Sequence, residues 1–567
     1  MRPLHPSKHL PPGLVVWHEG LFYMSPPPLL LAGGSSGLAG GWGGLAGDAL
    51  RLYSALKGAS GWLGVRAGGS RGAVEVVRAF LEESLGVSSR LHEFWVDAWV
   101  LRSSGLDPAA SWHSVGPYVL GGDVEGRPLV LEGDPSHASS WRGVDAGGRV
   151  VVARAPGVVD DLKAAALLAA EAGAEALLVE SRDPRVIVTG GDWGYSVSAG
   201  SPTPIPVAVV PLGYSRRAEE AGVVRVWVDA CVERRRDYNV VAVDGGRGGV
   251  VLAGAHLDHW YTGFTDNILG VAQAVETAGR LRGRGLAAGV VVFGAEEHGM
   301  PGMASWYWAA GSRSYAGLLR ESGAAEEVEA YVNFDVAGYR CLVASGAPQL
   351  VGHALEAGAV ERCCECPECD SIMMAWAGIP TLSLHSLWCP GVQEAYHTPR
   401  DTPDRASWDT AWTAVEAAVR TVTRGPEWPR LTHHFRSSLS GAGVRGRRLL
   451  YILESLARRA GWGALFREAS RSLLKVVHYG SLRWESRPLE ALYMPEASLF
   501  KRIMGDIERG RPPLAVVEVG RSERQLYSLS PTPPPRAPPR SILWEQLEAN
   551  MERLEEEVED LRMRLVR

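Results

Sequence analysis

Histidine and carboxylate side chains recur in five short stretches of the chain between residues 255 and 404. Four of these stretches directly follow apolar or mixed segments that are typical of strands. Side chains at the carboxyl ends of neighbouring strands in an open α/β sheet meet in one crevice, where such sheets bind ligands. The pattern therefore predicts one shared site, and its five stretches read AHLDHW (255–260), FTDN (264–267), GAEEHG (294–299), NFDVAG (333–338) and EAYHTPRDTPD (394–404).

The ligand types in these stretches suit a pair of divalent cations. Two cations roughly 3.5–4 Å apart need a bridging carboxylate, and each needs further oxygen or nitrogen ligands and an open position for water. We expect Asp266 to bridge, and His256 and Asp335 to complete one site. Glu297 and His397 would complete the other. Imidazole and carboxylate ligands without thiolate predict two Zn²⁺ per chain, with Co²⁺ or Mn²⁺ as substitutes.

Two further carboxylates beside the expected ligands are candidates for the chemistry itself. Glu296 directly precedes Glu297, and we expect it to accept a proton from a water activated by the metals and to return it to the leaving amine. Asp258 follows His256 by two residues and is expected to hold the second imidazole nitrogen of that histidine.

The order of the motifs resembles that of a known enzyme family. H-x-D, x-D-N, G-A-E-E-x-G, N-x-D and Y-H-T-x-x-D-T follow one another as in metallopeptidase family twenty-eight, the aminopeptidase Y and glutamate carboxypeptidase II type. The close match runs from about Asn239 to Val422, and every ligand position of the family's motif is filled. The resemblance implies di-zinc ligands at His256, Asp266, Glu297, Asp335 and His397, a general base at Glu296 and an orienting residue at Asp258.

Several polar residues near these motifs do not stand at ligand positions of the family. We expect His259, His298 and His385 to be substrate-pocket or structural residues. Asp401 and Thr402 are expected to brace the loop that carries His397.

The resemblance also implies the fold class, which is α/β. It implies a mixed-sheet zinc-exopeptidase (phosphorylase/hydrolase-like) catalytic domain and an inserted protease-associated α/β domain. The helical, arginine-rich pattern from about Arg430 predicts a C-terminal helical region. The predicted organisation is an N-terminal lead-in (1–45), the first part of the peptidase domain (46–110), a protease-associated domain (111–235), the di-zinc catalytic domain (236–425), a helical C-terminal region (426–530), a proline linker (531–540) and a coiled-coil tail (541–567).

Hydrophobic periodicity supports this α/β organisation before the metal motifs begin. Helical spacing occurs in Gly47–Gly58 and Arg71–Gly86. Strand, helix and strand are expected over Gly147–Ala155, Asp160–Ala174 and Glu175–Ser181, and at this spacing they form a βαβ unit. A second α/β region follows along the chain, and it is expected to include a strand over VVVFGAEE, residues 290–297.

Apolar residues in the tail recur at alternating spacings of three and four, which is typical of a coiled-coil seam. The seam covers only about three heptads, so two interpretations stand side by side. The tail either joins copies of the chain in a homo-oligomer or docks as an amphipathic helix on its own chain. The seam residues are Trp544, Leu547, Met551, Leu554, Val558, Leu561 and Leu565.

The cysteine-rich stretch CCECPECD, residues 363–370, departs from the family's usual pattern. Cys366 and Cys369 have zinc-ligand spacing, and Cys363 and Cys364 could add two thiolates to a structural zinc site. The same stretch is equally compatible with a disulfide within the loop and with free thiols. The segment that begins at Asp370 resembles the family's lining of the active-site cleft.

Composition restricts the partners of the protein. A net charge of -6 and a pI of about 6.2 give no basic surface for nucleic acid. The apolar run Pro26–Gly34 is broken by proline and glycine, so neither a signal peptide nor a membrane span is expected. We therefore expect a cytoplasmic protein that acts on peptides without a membrane partner.

The activity implied by the family is hydrolysis of a peptide bond near a chain terminus, with an aminopeptidase as the first expectation. A carboxypeptidase of the same family is the second. A glutaminyl-cyclase-like acyltransferase with one zinc is disfavoured by the complete two-metal set. A non-catalytic peptidase-like binding protein is disfavoured because neither the base nor the bridging residue is missing.

Overall fold

The structure of the protein is a computed structural model in which the chain divides into two units. The first unit consists mainly of Trp99–Glu233, and the second mainly of Leu38–Ala98 and Arg234–Arg511 with the C-terminal tail. The described residues are 42–59, 64–115, 119, 121–135, 137–154, 162–181, 205–243, 249–298, 308–361, 366, 369–387, 389–441, 443–461, 465, 514–519, 523–528, 552, 555, 556 and 558–563.

Four parallel strands form the centre of the first unit. They are β2 (Gly122–Glu132), β3 (Arg149–Arg154), β4 (Ala176–Ser181) and β5 (Val207–Pro211), paired in that order. All six residues of β4 are buried, which explains its nearly continuous apolar sequence. Helix α3 (Leu162–Glu171) connects β3 to β4, so the βαβ unit expected from the sequence is confirmed. A second helix, α4 (Tyr214–Ala221), follows β5.

Two long strands, β1 (Arg90–Asp107) and β6 (Val224–Ala242), continue from one unit into the other along the chain. The other strands of the second unit are β7 (Val250–His256), β8 (Ala288–Phe293), β9 (Val328–Asp335), β10 (Val343–Gly346), β11 (Val360–Glu361) and β12 (Thr381–His385). The end of β6 pairs antiparallel with β8. From β8 the neighbouring strands follow in the order β7, β9, β12, β10 and β11, and β8, β7, β9 and β12 are parallel. The pairing of β10 with β12 is antiparallel, so the sheet is mixed, as expected.

Helices cover both faces of this sheet because successive strand residues point to opposite sides. In β8, Val290 and Val292 join one hydrophobic cluster while Val291 and Phe293 join another. The first cluster includes residues of α1 (Trp42–Ala59), α2 (Arg71–Leu85), α5 (Leu269–Arg282), α7 (Pro348–Glu356) and α9 (Trp408–Arg424). The second includes residues of α6 (Ala310–Glu321) and α8 (Ser371–Trp376).

The C-terminal region contains the expected helices α10 (Trp428–Gly441) and α11 (Gly443–Ala460). Its prediction as helical throughout is wrong in one segment, because β13 (Leu514–Val519) and β14 (Glu523–Ser528) form an antiparallel hairpin. The sequence LAVVEV is rich in β-branched valine, which favours a strand over a helix. No helix in the described part of the chain is both long and apolar enough to cross a membrane.

Candidate metal centre

The ends of three parallel strands bring the expected ligands to one edge of the sheet. His256 is the last residue of β7, and Asp335 is the last residue of β9. Two residues earlier, Gly254 of β7 pairs with Asn333 of β9, so the two strands end level with each other. The adjacent β8 ends at Phe293, which pairs with His256.

The two glutamates lie in the loop after β8 and not on the strand, so the expected strand over residues 290–297 is too long. The backbone leaves the extended conformation at Ala295, whose φ is +54°. This left-handed conformation turns the chain before Glu296 and Glu297, so their side chains are not constrained to the two opposite faces of a strand.

Asp266 lies in a single turn, Phe264–Ile268, between β7 and α5. The carboxylate of Asp401 accepts hydrogen bonds from the main-chain nitrogens of Thr265 (2.9 Å) and Asp266 (3.0 Å). It also accepts one from the Thr265 hydroxyl at 2.5 Å. Asp401 follows His397 on the loop after β12. Its carboxylate therefore connects the loop that carries His397 to the turn that carries Asp266.

The five expected ligands come together around the carboxylate of Asp266. Its Oδ1 lies 3.2 Å from Nε2 of His256, and its Oδ2 lies 3.0 Å from Nε2 of His397. The same nitrogen of His256 is 3.9 Å from Oδ1 of Asp335. Nε2 of His397 is 3.1 Å from Oε2 of Glu297. Asp266 thus stands between two groups, each with one histidine and one further carboxylate, as a bridging ligand must.

The donor atoms of this cluster fit divalent cations. Within the described part of the chain, no hydrogen bond reaches Oε1 of Glu297 or Oδ2 of Asp335, although both atoms are buried. Buried polar atoms without a partner are unfavourable by about 1–3 kcal/mol each, and a cation would satisfy them. Nitrogen and carboxylate oxygen without thiolate is a donor set that zinc accepts.

The electrostatics of the cluster also favour the binding of divalent cations. Burial alone would lower the pKa of His397, but the carboxylates of Glu297 and Asp266 raise it to about 9. Burial opposes ionisation of Asp266, yet hydrogen bonds from His256 and His397 hold the pKa of Asp266 below its usual value. The carboxylates therefore attract whatever positive charge is nearby, which is the requirement for binding cations in a buried site.

Asp258 contacts the site in a different way from that expected. Nδ1 of His256 lies 2.8 Å from the main-chain oxygen of Asp258, whereas the carboxylate Oδ1 of Asp258 is 4.0 Å from it. The carboxylate instead accepts hydrogen bonds from the main-chain nitrogens of Glu296 (2.8 Å) and Glu297 (3.0 Å). Glu296 itself is buried, and burial raises its pKa well above the usual value.

The three neighbouring histidines have separate surroundings. The ring of His259 contacts the main-chain oxygen of Leu257 at 3.0 Å, and the ring of His298 lies 5.2 Å from that of Trp260. Nε2 of His385 is 3.3 Å from the Ser345 hydroxyl. Among the described residues, none of these histidines belongs to a group with metal-binding geometry.

Asp370 and Tyr396 were not recognised as site residues from the sequence. Asp370 directly precedes α8 and is 0% exposed. Burial raises its pKa to about 7, against the attraction of His256. The ring of Tyr396 stacks on that of His397 with 3.7 Å between centroids. The position of Asp370 at the start of a cleft-lining segment was the signal in the sequence that could have found it.

Four of the described cysteines form two disulfides, and Cys231 is free. Cys366 and Cys369 are joined, which agrees with a disulfide in their loop and not with a zinc site or free thiols, while Cys363 and Cys364 lie outside the described residues. A second disulfide, between Cys341 and Cys389, was not expected. It connects the loop after β9 with the loop after β12.

The sheet is mixed but mostly parallel, and histidine and carboxylate side chains gather at the ends of its strands. This arrangement is that of a metallopeptidase-type domain. Residues 239–422 match the family model described as Peptidase family M28. A search of curated proteins returned no match to the sequence.

Solved structures show that the fold is shared. A zinc aminopeptidase from Bacillus subtilis, BSAP, is 16% identical, with a TM-score of 0.53 over 67% of this chain and 95% of that chain. A medium-resolution structure of BSAP gives 15% identity and a TM-score of 0.55 over 69% and 97% of the respective chains. An aminopeptidase from Aneurinibacillus sp. strain AM-1 is 17% identical over 68% and 94%, with a TM-score of 0.47.

Proposed function

We propose that the protein is a zinc-dependent exopeptidase of the aminopeptidase type, with two zinc ions per chain. The observation that carries this proposal is the position of Asp266, whose two carboxylate oxygens each face a different histidine. The match of residues 239–422 to the model of Peptidase family M28 supports peptide hydrolysis. The description of BSAP as a zinc aminopeptidase supports both the metal and the subtype.

Each residue of the site has a separate task in this proposal. A bound pair of divalent cations supplies Lewis acidity, which lowers the pKa of a water and polarises a peptide carbonyl. Glu296 accepts the proton of that water and later donates it to the leaving amine. Its buried position raises its pKa, which suits a group that must both take up and release a proton near neutral pH.

The backbone around Glu296 supports this assignment. Since the Asp258 carboxylate accepts hydrogen bonds from the nitrogens of Glu296 and Glu297, it holds both residues in one conformation. Glu297 is then free to direct an oxygen towards His397, at 3.1 Å, while Glu296 makes no such contact with a histidine among the described residues. One glutamate can therefore serve as ligand and its neighbour as base.

The test combines metal analysis with hydrolysis of aminoacyl chromogenic substrates. We expect wild type and Glu296→Gln to retain zinc equally, while the substitution lowers kcat by about 10²–10⁴-fold through loss of the general base. Glu321→Gln, at an exposed position at the end of α6, is the matched control and should keep full activity. Unchanged turnover in Glu296→Gln would show that the base is misassigned, and a protein that never retains zinc would refute the metal proposal.

Two further proposals concern the rest of the chain. Residues 111–235 are proposed to be a protease-associated domain, supported by the βαβ unit of β3, α3 and β4. Self-association through the C-terminal helices is supported by Val444 and Tyr451 of α11, which are 77% and 68% exposed and seven residues apart. Light scattering of Val444→Lys combined with Tyr451→Lys should then give a lower mass than wild type.

A further inference from the structure

A tight turn before α2 lies against both loops that carry the catalytic carboxylates and their partners. The main-chain nitrogen of His259, three residues after His256, donates a hydrogen bond to the carbonyl of Val65 at 2.8 Å. Ala67 belongs to a small hydrophobic cluster with Ala295, the residue before Glu296. Arg66 stands between these two contact points.

The conformation of this turn is closely determined. Gly69 donates a main-chain hydrogen bond to the carbonyl of Arg66 at 2.9 Å, and the nitrogen of Gly68 donates to the Asp237 carboxylate at 2.7 Å. Gly64 has a φ of +89°, and a Cβ there would lie 2.1 Å from the carbonyl oxygen of His259. Only glycine permits this approach, so the turn holds Arg66 in one place beside the metal centre.

The guanidinium of Arg66 has no carboxylate partner within the described part of the chain. Its Nη1 atom is buried and donates no hydrogen bond to any described residue, while the side chain as a whole is only half-buried. Arg225, by contrast, is paired with Asp123 at 2.6 Å. Arginine keeps its charge in proteins, so a partly desolvated guanidinium without an anion is an unfavourable arrangement that an anionic ligand would relieve.

The charges around Arg66 make its surroundings more positive. Burial and the nearby Arg235 lower the pKa of Arg66 to about 10. Arg235 lies alongside the turn, since its Cδ would be 3.0 Å from a Cβ at Gly68. The carboxylates of Asp266 and Glu297 are already engaged by histidines at 3.0–3.2 Å. Since no ion pair of the described residues includes Arg66, a bound ligand could supply the anion that neutralises it.

The guanidinium of Arg66 lies near the loop that carries both glutamates. Its charge acts on His298, the residue directly after Glu297. The ring of His298 in turn packs against Trp260, with 5.2 Å between the ring centroids. Arg66 is therefore a cationic group beside the loop after β8.

We propose that Arg66 binds a carboxylate of the peptide substrate and so selects substrates with a carboxylate close to the scissile bond. This inference rests on the proposed peptidase function, because the metal centre fixes where the scissile bond lies. The fork of guanidinium donors matches a carboxylate in a bidentate manner, which a lysine cannot reproduce. The carboxylate comes either from an aspartate or glutamate side chain or from the C-terminus of a very short peptide.

Two substrate pairs distinguish these sources. The glutamyl and glutaminyl p-nitroanilides differ only in a side-chain carboxylate, and Leu-Gly and Leu-Gly-amide differ only in the C-terminal carboxylate. In wild type we expect kcat/KM to favour the carboxylate member of one pair by at least about 10-fold, the tenfold corresponding to a net 1.4 kcal/mol. Arg66→Gln should abolish the preference, and Arg66→Lys should retain part of it. Arg71→Gln, an exposed arginine at the start of α2, is the matched control and should leave the preference intact.

Calorimetric titration of the zinc-loaded protein with glutarate provides a readout that does not depend on turnover. We expect the dissociation constant to rise at least about 10-fold in Arg66→Gln and to stay unchanged in Arg71→Gln. Equal substrate ratios and equal glutarate affinity in wild type and Arg66→Gln would overturn the proposal. If no peptide is hydrolysed at all, the proposed function fails, whereas glutarate binding that depends on Arg66 still supports the carboxylate site.

Discussion

The carboxylate of Asp258 accepts hydrogen bonds from the main-chain nitrogens of two successive residues, Glu296 at 2.8 Å and Glu297 at 3.0 Å. One buried side chain thus fixes the conformation of both neighbouring glutamates. The same residue orients His256 through its main-chain oxygen, 2.8 Å from Nδ1 of the ring. Asp258 therefore couples the loop after β7 to the loop after β8.

Replacing Asp258 by asparagine tests this coupling. The amide offers one oxygen, and its NH₂ group would face the second main-chain N–H, so one of the two hydrogen bonds is lost. We expect kcat/KM to fall about 10–100-fold, the usual effect of changing a residue that supports metal ligands. Asp229→Asn, at an exposed position in the first unit, is the control. Full activity with normal zinc affinity in Asp258→Asn would show that the coupling does not matter.

Removal of the metal should lower the stability of the protein. His256 and His397 partly neutralise the buried carboxylates, but Asp335, Glu296 and Glu297 keep pKa values raised by burial, so their ionised forms need further positive charge. Zinc at 100 times its dissociation constant would stabilise the fold by about 2.7 kcal/mol. We expect a chelator to lower Tm and added zinc to restore it.

Asp266→Asn is the control for this experiment, because it replaces the expected bridging carboxylate by a neutral amide that binds cations more weakly. Its Tm should respond little to chelator or zinc, because both proposed cation positions would share this ligand. Equal responses in wild type and Asp266→Asn would argue that the stabilising metal binds elsewhere.

The sequence indicated the candidate ligands more clearly than the residues that support them. His256 and Asp335 end apolar strands, and strand ends are recognisable from the apolar runs that precede them. The double hydrogen bond to Asp258 depends on the turn at Ala295, whose positive φ no local pattern indicates. Asp370 lies in none of the five motif stretches, and its burial and its electrostatic interaction with His256 become apparent only in the structure.

Long-range contacts could not be predicted from the sequence either. The disulfide partners Cys341 and Cys389 are 48 residues apart, and connectivity between distant cysteines cannot be deduced from their spacing. The heptad spacing in the tail predicted a seam. The spacing alone did not specify whether this seam contacts another copy or its own chain. That question is decided by packing, which periodicity does not specify.

The disulfide between Cys341 and Cys389 should stabilise the loops on which His397 depends. Cys389 precedes His397 by eight residues, and the Ser386 hydroxyl donates to the carbonyl of Cys341 at 2.6 Å. Closing a loop of this length contributes roughly 2–4 kcal/mol. We expect Cys341→Ser combined with Cys389→Ser to lower the free energy of unfolding by about that amount in urea titrations. Cys231→Ser, whose cysteine is free, should have little effect.

Acidification should destabilise the first unit through His113. Burial lowers the pKa of His113 to about 4, compared with 6.5 for the unperturbed group, and its Nε2 lies 2.9 Å from the Ser104 hydroxyl. Between pH 6.5 and 4 the unfolded state binds the proton more readily, so the free energy of unfolding falls as pH decreases through this range. The difference between these two pKa values corresponds to roughly 3 kcal/mol of unfolding free energy.

Urea titrations from pH 7 to 4 would measure this contribution by difference. His113→Gln cannot take up the proton, so its unfolding free energy should fall less steeply than that of wild type. His137→Gln, an exposed histidine of the same unit, should follow the wild-type curve. Parallel curves for wild type and His113→Gln would contradict the prediction.

The C-terminal tail is expected to dock on its own chain. Glu555 forms a two-pronged ion pair with Arg445 of α11, with distances of 2.9 and 2.8 Å. Val558 and Leu561, on the described part of the tail helix, are each 1% exposed. Burying two such side chains contributes roughly 3–6 kcal/mol, whereas the half-exposed ion pair adds little.

Leu561→Asp should therefore release the tail, and limited proteolysis should cleave the chain near the proline linker at least about 10-fold faster than in wild type. The factor follows because introducing a buried charge removes more than about 1.4 kcal/mol of docking free energy. Arg562→Asp, at an exposed neighbouring position, is the matched control. Own-chain docking further requires that removing the residues after Ser530 leaves the number of chains per particle unchanged in light scattering. A drop from dimer to monomer on that truncation would instead assign the seam to contacts between copies.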